Sequence, residues 1–228
     1  MTFSYTSKTG TFLLFLVVVL IVLMPVASKA SGLSLDALLD RVEGQFDATC
    51  DFEASFIQET SSKSMAREES EQGRLFYKKP IKMLWLYDKP QAKKLVVNSE
   101  EAWLFLPDDG VAYFQKTERL VLTAPAVRLL SGLRGVRKDF QVRYATPHRV
   151  DETGNYLVQL VPHDRNAGFV KALVEIDRAT YGLVQVKFED AYGNTTRIRL
   201  SGIRLNRKLP DDMFRFVPPA GVEVFPLP

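Results

Sequence analysis

The sequence predicts a mainly β protein of the α+β class, built on an antiparallel sheet, from three observations. Short apolar runs with two-residue alternation recur from residue 52 to the C-terminus. Turn signals such as Asn98-Ser99-Glu100, Asp108-Asp109-Gly110 and Ala191-Tyr192-Gly193-Asn194 separate them. The helical patterns are few, and none stands as a crossover between successive strands. Roughly ten strands joined in this way imply antiparallel pairing rather than βαβ units. A chain of 228 residues with 46% hydrophobic and 25% charged content excludes disordered, collagen-like and multi-pass membrane classes.

Residues 11–24, TFLLFLVVVLIVLM, are apolar and uncharged and follow a short polar segment that carries Lys8. Ser28 and Ala30 place small residues at −3 and −1 of a cut before Ser31. This is the layout of a secretory signal peptide, and the run is shorter than the roughly 20 residues of a spanning helix. Residues 1–30 are expected to be a cleaved signal peptide and residues 31–228 one exported domain. Losing Lys8 and Lys29 with the leader takes the net charge from +3 to +1. A near-neutral surface of this kind disfavours a nucleic-acid binder. No cysteine stands at the cut, so acylation there is not expected.

The exported part opens with a helix. Ser34 is the expected N-cap, Asp36 lies in the first turn, and Leu35, Leu38, Leu39, Val42 and Phe46 share one face. Phe52, Ala54 and Phe56 then alternate with polar residues, which predicts a strand. Residues 61–72 are polar throughout and read as an exposed loop. Leu75/Tyr77, Met83/Trp85/Tyr87, Leu95-Val96-Val97, Trp103/Phe105 and Val111–Gln115 follow as strands. Pro80, Pro90 and Pro107 sit at their ends, where a missing N–H is tolerated. At Thr123–Leu133 the rhythm breaks into a short helix opened by Pro125, with Val127, Leu129 and Leu130 as its apolar side. Strands return at Phe140–Tyr144, Tyr156–Leu160, Val170–Ile176, Val184–Phe188 and Ile198–Leu200, and Phe214 and Phe216 are read as closing the set.

Phe52, Phe56, Leu75, Tyr77, Met83, Trp85, Tyr87, Trp103 and Phe105 can all face one side of a curved sheet. Such a stripe reads either as a packed barrel core or as an apolar cavity covered by the two helices. The aromatic and Met content favours surfaces that repack around variable guests. Lys79 has the parity of Leu75 and Tyr77, which turns its ammonium towards the enclosed side. Residues suited to catalysis are scarce. Asp108-Asp109 and Asp211-Asp212 lie in turns, where Asp is favoured for backbone reasons, and His148 and His163 have no nucleophile beside them. Cys50 is the single cysteine and is expected to be a small buried hydrophobe. No phosphate loop is present, and Asn194-Thr195-Thr196 is a chance-level glycosylation triplet. No enzymatic activity, metal or cofactor is expected. Arg128, Arg134, Arg137 and Lys138 form a basic cluster, readable as a solvated face or as a docking surface for an acidic partner.

Several motifs occur together and in order. They are Ala54-Ser55-Phe56-x-Gln58, and Gly73-x-Leu75 leading through Lys79-Pro80 to Trp85-x-Tyr87-x-x-Pro90. Ala102-Trp103-x-x-x-Pro107, Pro125-x-x-x-Leu129-Leu130 and Asp190-x-x-Gly193-Asn194-x-Thr196 follow, and Phe214-x-Phe216-x-Pro218-Pro219-x-Gly221-Val222 closes the series. In these the chain resembles the LolA family of periplasmic lipoprotein carriers. The resemblance implies an unclosed antiparallel β-barrel of about 10–11 strands with helices forming a lid over a hydrophobic cavity. It implies that the stripe faces lipid and that Leu129 and Leu130 belong to the lid. Lys79 stands where the family commonly has an arginine that latches the lid. Three donors on a flexible stem make a looser latch than a planar guanidinium. The implied function is a monomeric periplasmic chaperone that shields the acyl chains of lipoproteins without a cofactor. The implied partners are an inner-membrane ABC-type lipoprotein-releasing complex and an outer-membrane lipoprotein acceptor. A lipid-sensing regulator of the same fold is the alternative; a hydrolase would need a nucleophile–base pair that the sequence lacks.

Overall fold

The computed structural model describes residues 1–2, 32–63, 67–125, 127, 129 and 136–227. It divides into two compact units, Met1–Ser34 and Leu35–Pro228. The expected signal peptide lies almost wholly outside the described residues, as do Arg128, Leu130 and Arg134. Among the described residues, no helix is long and apolar enough to cross a membrane.

In the second unit, helix α1 (Leu35–Ala48) precedes strands β1 (Asp51–Ser62), β2 (Arg67–Lys78), β3 (Lys82–Lys89), β4 (Lys93–Val97), β5 (Glu101–Leu106) and β6 (Val111–Lys116). Helices α2 (Thr117–Thr123) and α3 (Val136–Asp139) follow, and Pro125, Val127 and Leu129 between them are helical. Strands β7 (Phe140–Tyr144), β8 (Tyr156–Pro162), β9 (Lys171–Ile176), β10 (Leu183–Glu189), β11 (Thr195–Leu205) and β12 (Glu223–Pro226) complete the order. The strands form one sheet in the order β12-β6-β5-β4-β3-β2-β1-β11-β10-β9-β8-β7. Its ends, β12 and β7, are not paired with each other, so the predicted unclosed antiparallel barrel is found, with twelve strands. Two hairpin series meet where β1 pairs with β11, with Phe56 opposite Leu200.

Three local expectations are corrected. Residues 61–62 and 67–72 are not in a loop: they are the ends of β1 and β2, a long hairpin paired from Asp51–Lys78 to Ser62–Arg67, while residues 64–66 of the expected loop lie outside the described residues. Backbone ladder bonds carry this part of the hairpin, so polarity on both faces does not end the strands. Phe214 and Phe216 are not in strands. Asp211–Phe214 is a single 3-10 turn, and this segment covers the convex face over Phe76, Leu84 and Val96. The last strand is β12, and it pairs parallel to β6.

Helix α1 contributes Leu38, Leu39 and Val42 to the core. The carbonyls of its last turn, orphaned in any helix, all have partners from outside the helical ladder. Thr49 Oγ1 donates to the Gln45 oxygen at 2.8 Å, and Asn206 Nδ2 to the Ala48 oxygen at 3.2 Å. Lys79 Nζ donates to the Phe46 and Asp47 oxygens at 2.5 and 3.2 Å. The buried Asp51 carboxylate fixes the neighbouring chain by accepting from the Arg207 and Leu209 amides. Cys50 is exposed, contrary to expectation, because it stands in the turn between α1 and β1.

Candidate functional site

Strand register decides which side chains meet. Ala54 opposes Leu75, Leu75 opposes Trp85, and Trp85 opposes Leu95, so these share the concave face. Phe52 and Tyr77, Tyr77 and Met83, and Phe56 and Gly73 are paired on the same face. Gly73 in turn opposes Tyr87. With no side chain at Gly73, the rings of Phe56 and Tyr87 meet edge to face over it, their centroids 5.0 Å apart. Phe56 packs equally against Trp85, also at 5.0 Å, and Trp85 stacks beside Tyr87 at 6.4 Å. Phe56, Leu75, Tyr77, Met83 and Trp85 are each at most 2% exposed. Seven of the nine residues of the sequence-predicted stripe are thus brought to one face.

Trp103 and Phe105 are not. Val97 opposes Ala102 and Leu95 opposes Leu104, so Ala102 and Leu104 carry the concave parity. Trp103 and Phe105 lie on the convex face, opposite Val96 and Lys94. There Trp103 packs on Phe114 and Phe216, and Phe105 on Phe216, at centroid distances of 5.3 to 5.5 Å. The Asn98–Glu101 turn sets this register: Asn98 Oδ1 accepts from the amides of Glu100 and Glu101 at 2.9 and 3.0 Å. A one-residue difference in register exchanges the faces.

Two cavities open on the concave face. One, of about 150 Å³, lies under the C-terminal half of α1 and is lined by Val42, Phe46, Phe52, Tyr77, Tyr181, Leu200 and Leu205 among others. The second, of about 320 Å³, is lined by Trp85, Tyr87, Leu95, Phe169, Phe188, Ile198 and the polar Gln58, Asp190, Asn194 and Thr196. Ala124, Pro125 and Val127 close over the second cavity. Leu129 is 1% exposed but lines neither cavity.

Burial pushes the Tyr77 phenol up to about 12. Burial, then the nearby Glu71 carboxylate, raises that of Tyr87 as well. Both therefore stay neutral. Lys79 reaches α1 rather than the Leu129 segment. Besides its two carbonyl bonds, its ammonium lies 4.4 Å from the centre of the Phe46 ring. Arg41 of α1 donates to the Tyr181 hydroxyl and lies over that ring at 4.9 Å. Arg137 pairs with Asp40 at 2.9 Å and Glu43 at 3.2 Å, so this member of the basic cluster is tied to α1. The sequence reading missed Arg41 and Tyr181, whose contact spans 140 positions and leaves no local signal. Among the described residues, no three His, Cys, Asp or Glu side chains are grouped to hold a metal ion.

Comparison with known proteins agrees with this architecture. Residues 48–217 match the family model described as outer membrane lipoprotein carrier protein LolA. An outer-membrane lipoprotein carrier protein of Nitrosospira multiformis is 30% identical over 173 residues, 75% of this chain and 80% of that protein. That of Methylococcus capsulatus is 27% identical over 185 residues, 81% of this chain and 86% of that protein. Among solved structures, an uncharacterised conserved protein of Thermus thermophilus shares the fold, with a TM-score of 0.54 at 14% identity over 84% of this chain and 98% of the other.

Proposed function

The chain belongs to the LolA family of outer membrane lipoprotein carrier proteins, and from that premise we propose that it is a periplasmic chaperone for acylated lipoproteins. It takes them after their release from the inner membrane, shields their acyl chains on the concave face, and hands them on towards the outer membrane. The supporting observation is that face: a sheet open at both edges whose aromatic interior is roofed by α1 and by Ala124, Pro125 and Val127 over two cavities.

Physical chemistry says what such a face must do. Burying one CH₂ is worth about 0.8 kcal/mol, so a chain of about 15 methylenes in water forgoes on the order of 10 kcal/mol. A carrier offsets most of this and still releases the cargo. Of the two cavities, that of about 150 Å³ is below, and that of about 320 Å³ only at the bottom of, the 300–1,000 Å³ typical of a drug-sized ligand site. Acyl chains therefore enter by displacing the roof. Opening costs free energy, and that cost lowers net affinity enough for transfer. Phe52, Phe56, Leu75, Tyr77, Met83, Trp85 and Tyr87 are the proposed acyl-contacting residues. Leu129 and, outside the described residues, Leu130 are assigned to the lid, and Lys79 is the latch on α1. In this reading residues 1–30 are removed on export and residues 31–228 act as a monomer. An ABC-type complex of the inner membrane supplies the energy, an outer-membrane acceptor receives the cargo, and the carrier itself needs no hydrolysis or cofactor.

The test uses inner-membrane vesicles that hold a labelled outer-membrane lipoprotein. Adding the protein with ATP is expected to yield a soluble one-to-one complex. Lipoprotein that stays in the vesicles despite tight binding of a free acylated peptide would overturn the carrier role.

A further inference from the structure

The concave face changes character along its length. Its α1 end is mainly apolar, with Phe52 and Tyr77 lining the first cavity beside Gln45, Thr49 and Thr180. Six residues further along β1, about 20 Å at the rise of a strand, Gln58 lines the second. Around Gln58 lies a connected polar group. Gln58 Nε2 donates to Glu71 Oε2 at 3.1 Å, and Tyr87 Oη donates to Gln58 Oε1 at 3.4 Å. Lys93 Nζ donates to Glu71 Oε1 at 2.5 Å and lies 4.2 Å from the centre of the Tyr87 ring. Register places these side chains on one face, since Gln58 opposes Glu71 and Tyr87 opposes Lys93. Trp85 is the exception in this group. It is 2% exposed and lines the cavity, yet its Nε1–H has no acceptor among the described residues.

An alkyl chain asks nothing of a polar group, but its attachment does. Each acyl chain ends in an ester or amide carbonyl, an acceptor that loses water when the chain is enclosed and must be given a donor. An indole N–H is a donor only. We propose that this end of the concave face is the subsite for the carbonyl junction of an acylated N-terminus, with Trp85 Nε1–H donating to an ester or amide oxygen while the alkyl chains run towards α1. The assignment rests on the carrier reading above and adds an orientation to it. Gln58, Glu71, Lys93 and Tyr87 are positioning residues, each held by another member of the group, and the Tyr87 ring they hold stacks beside the Trp85 indole. A site that donates to the ligand discriminates against an analogue without the acceptor.

The experiment compares two synthetic probes with the protein expressed from its 228-residue sequence. One is a lipopeptide with two ester-linked palmitoyl chains; the other carries the same chains in ether linkage. Dissociation constants come from competition with a fluorescent fatty acid. The ester probe is expected to bind about threefold to tenfold more tightly than the ether probe, the worth of one neutral hydrogen bond. Trp85→Phe should abolish that preference by weakening the ester probe alone. With Trp103→Phe as background, Trp85 is the one indole left, and its emission should shift on binding the ester but not the ether probe. Equal binding of the two probes by the unaltered protein overturns the assignment and leaves the carrier reading standing. Equal weakening of both by Trp85→Phe also overturns it, reducing Trp85 to contact area. Failure of the folded, unaltered protein to bind either probe overturns both.

Discussion

A methyl group added at Gly73 would lie 1.8 Å from the Leu86 carbonyl oxygen and 2.9 Å from the Tyr87 Cα, backbone atoms that cannot swing aside. That closeness between β2 and β3 lets Phe56 and Tyr87 meet over the glycine. Gly73→Ala is therefore expected to lower stability by about 3 kcal/mol, while Ser55→Ala on the exposed side of β1 stays within about 0.5 kcal/mol. Thermal melts of the two variants check this. Lys79 is the second decisive position. Lys79→Leu removes both donors to the last turn of α1 and should cost about 1–2 kcal/mol, since hydrogen bonds from a charged donor are among the stronger ones. Hydrogen exchange at Gln45–Ala48 is expected to quicken in Lys79→Leu and to stay slow in Lys79→Arg, whose planar fork can hold both carbonyls. Unchanged exchange in Lys79→Leu would remove the latch. Parity gave the inward direction of Lys79, but only the fold brings α1 to meet it.

Connections explain what the strands could not announce. The turns before β8, between β9 and β10, and between β10 and β11 are closed by Asp151, Asp177 and Asp190, each accepting backbone amides two to four residues on. The Thr180 amide is the largest influence holding the Asp177 carboxyl below its usual range, ahead of an opposing desolvation. For Asp151 and Asp190 desolvation pushes up, and the hydrogen bonds received outweigh it. A carboxyl whose folded pKa is depressed contributes stability that is present above its unfolded pKa, about 4, and lost as pH falls through the folded value. The protein is thus expected to lose stability on acidification below about pH 4. Asp177→Asn should flatten that loss in denaturant titrations at pH 7 and pH 3. Turn positions such as Ala191–Asn194 were legible because Gly and Asn at fixed offsets have local causes. The register of β5 was not. In Glu101–Leu106, Ala, Trp, Leu, Phe and Leu follow one another with no alternation to mark a face, because both sides of that strand are covered.

For the molecule as a whole, the consequence is two apolar layers on one sheet, to which the proposed function gives different tasks. The convex layer, where Trp103 and Phe105 meet Phe216, is assigned to stability. The concave layer is assigned to cargo. Trp103→Ala is expected to lower the melting temperature and leave acyl-peptide affinity within about twofold, a change worth under 0.5 kcal/mol. Trp85→Asp should abolish binding, whereas Arg197→Asp, which loses an exposed ion pair with Glu59, should not. A loss of binding in Trp103→Ala matching that of Trp85→Asp would place both layers in the cargo site. The local pattern of the chain was enough to establish a mainly antiparallel sheet, the first helix, most strands along the chain and seven of the nine stripe residues, since alternation and turn chemistry act over a few residues. Tertiary structure decided the rest: which face β5 presents, what α1's terminal carbonyls bond to, and that a 3-10 turn and its flanks rather than a strand carry Phe214 and Phe216. The contacts of α1 depend on partners tens to more than a hundred positions away, such as Lys79 on its last turn and Tyr181 on Arg41. Contacts at that separation are set by how a twelve-stranded sheet curves, which no short window of sequence contains.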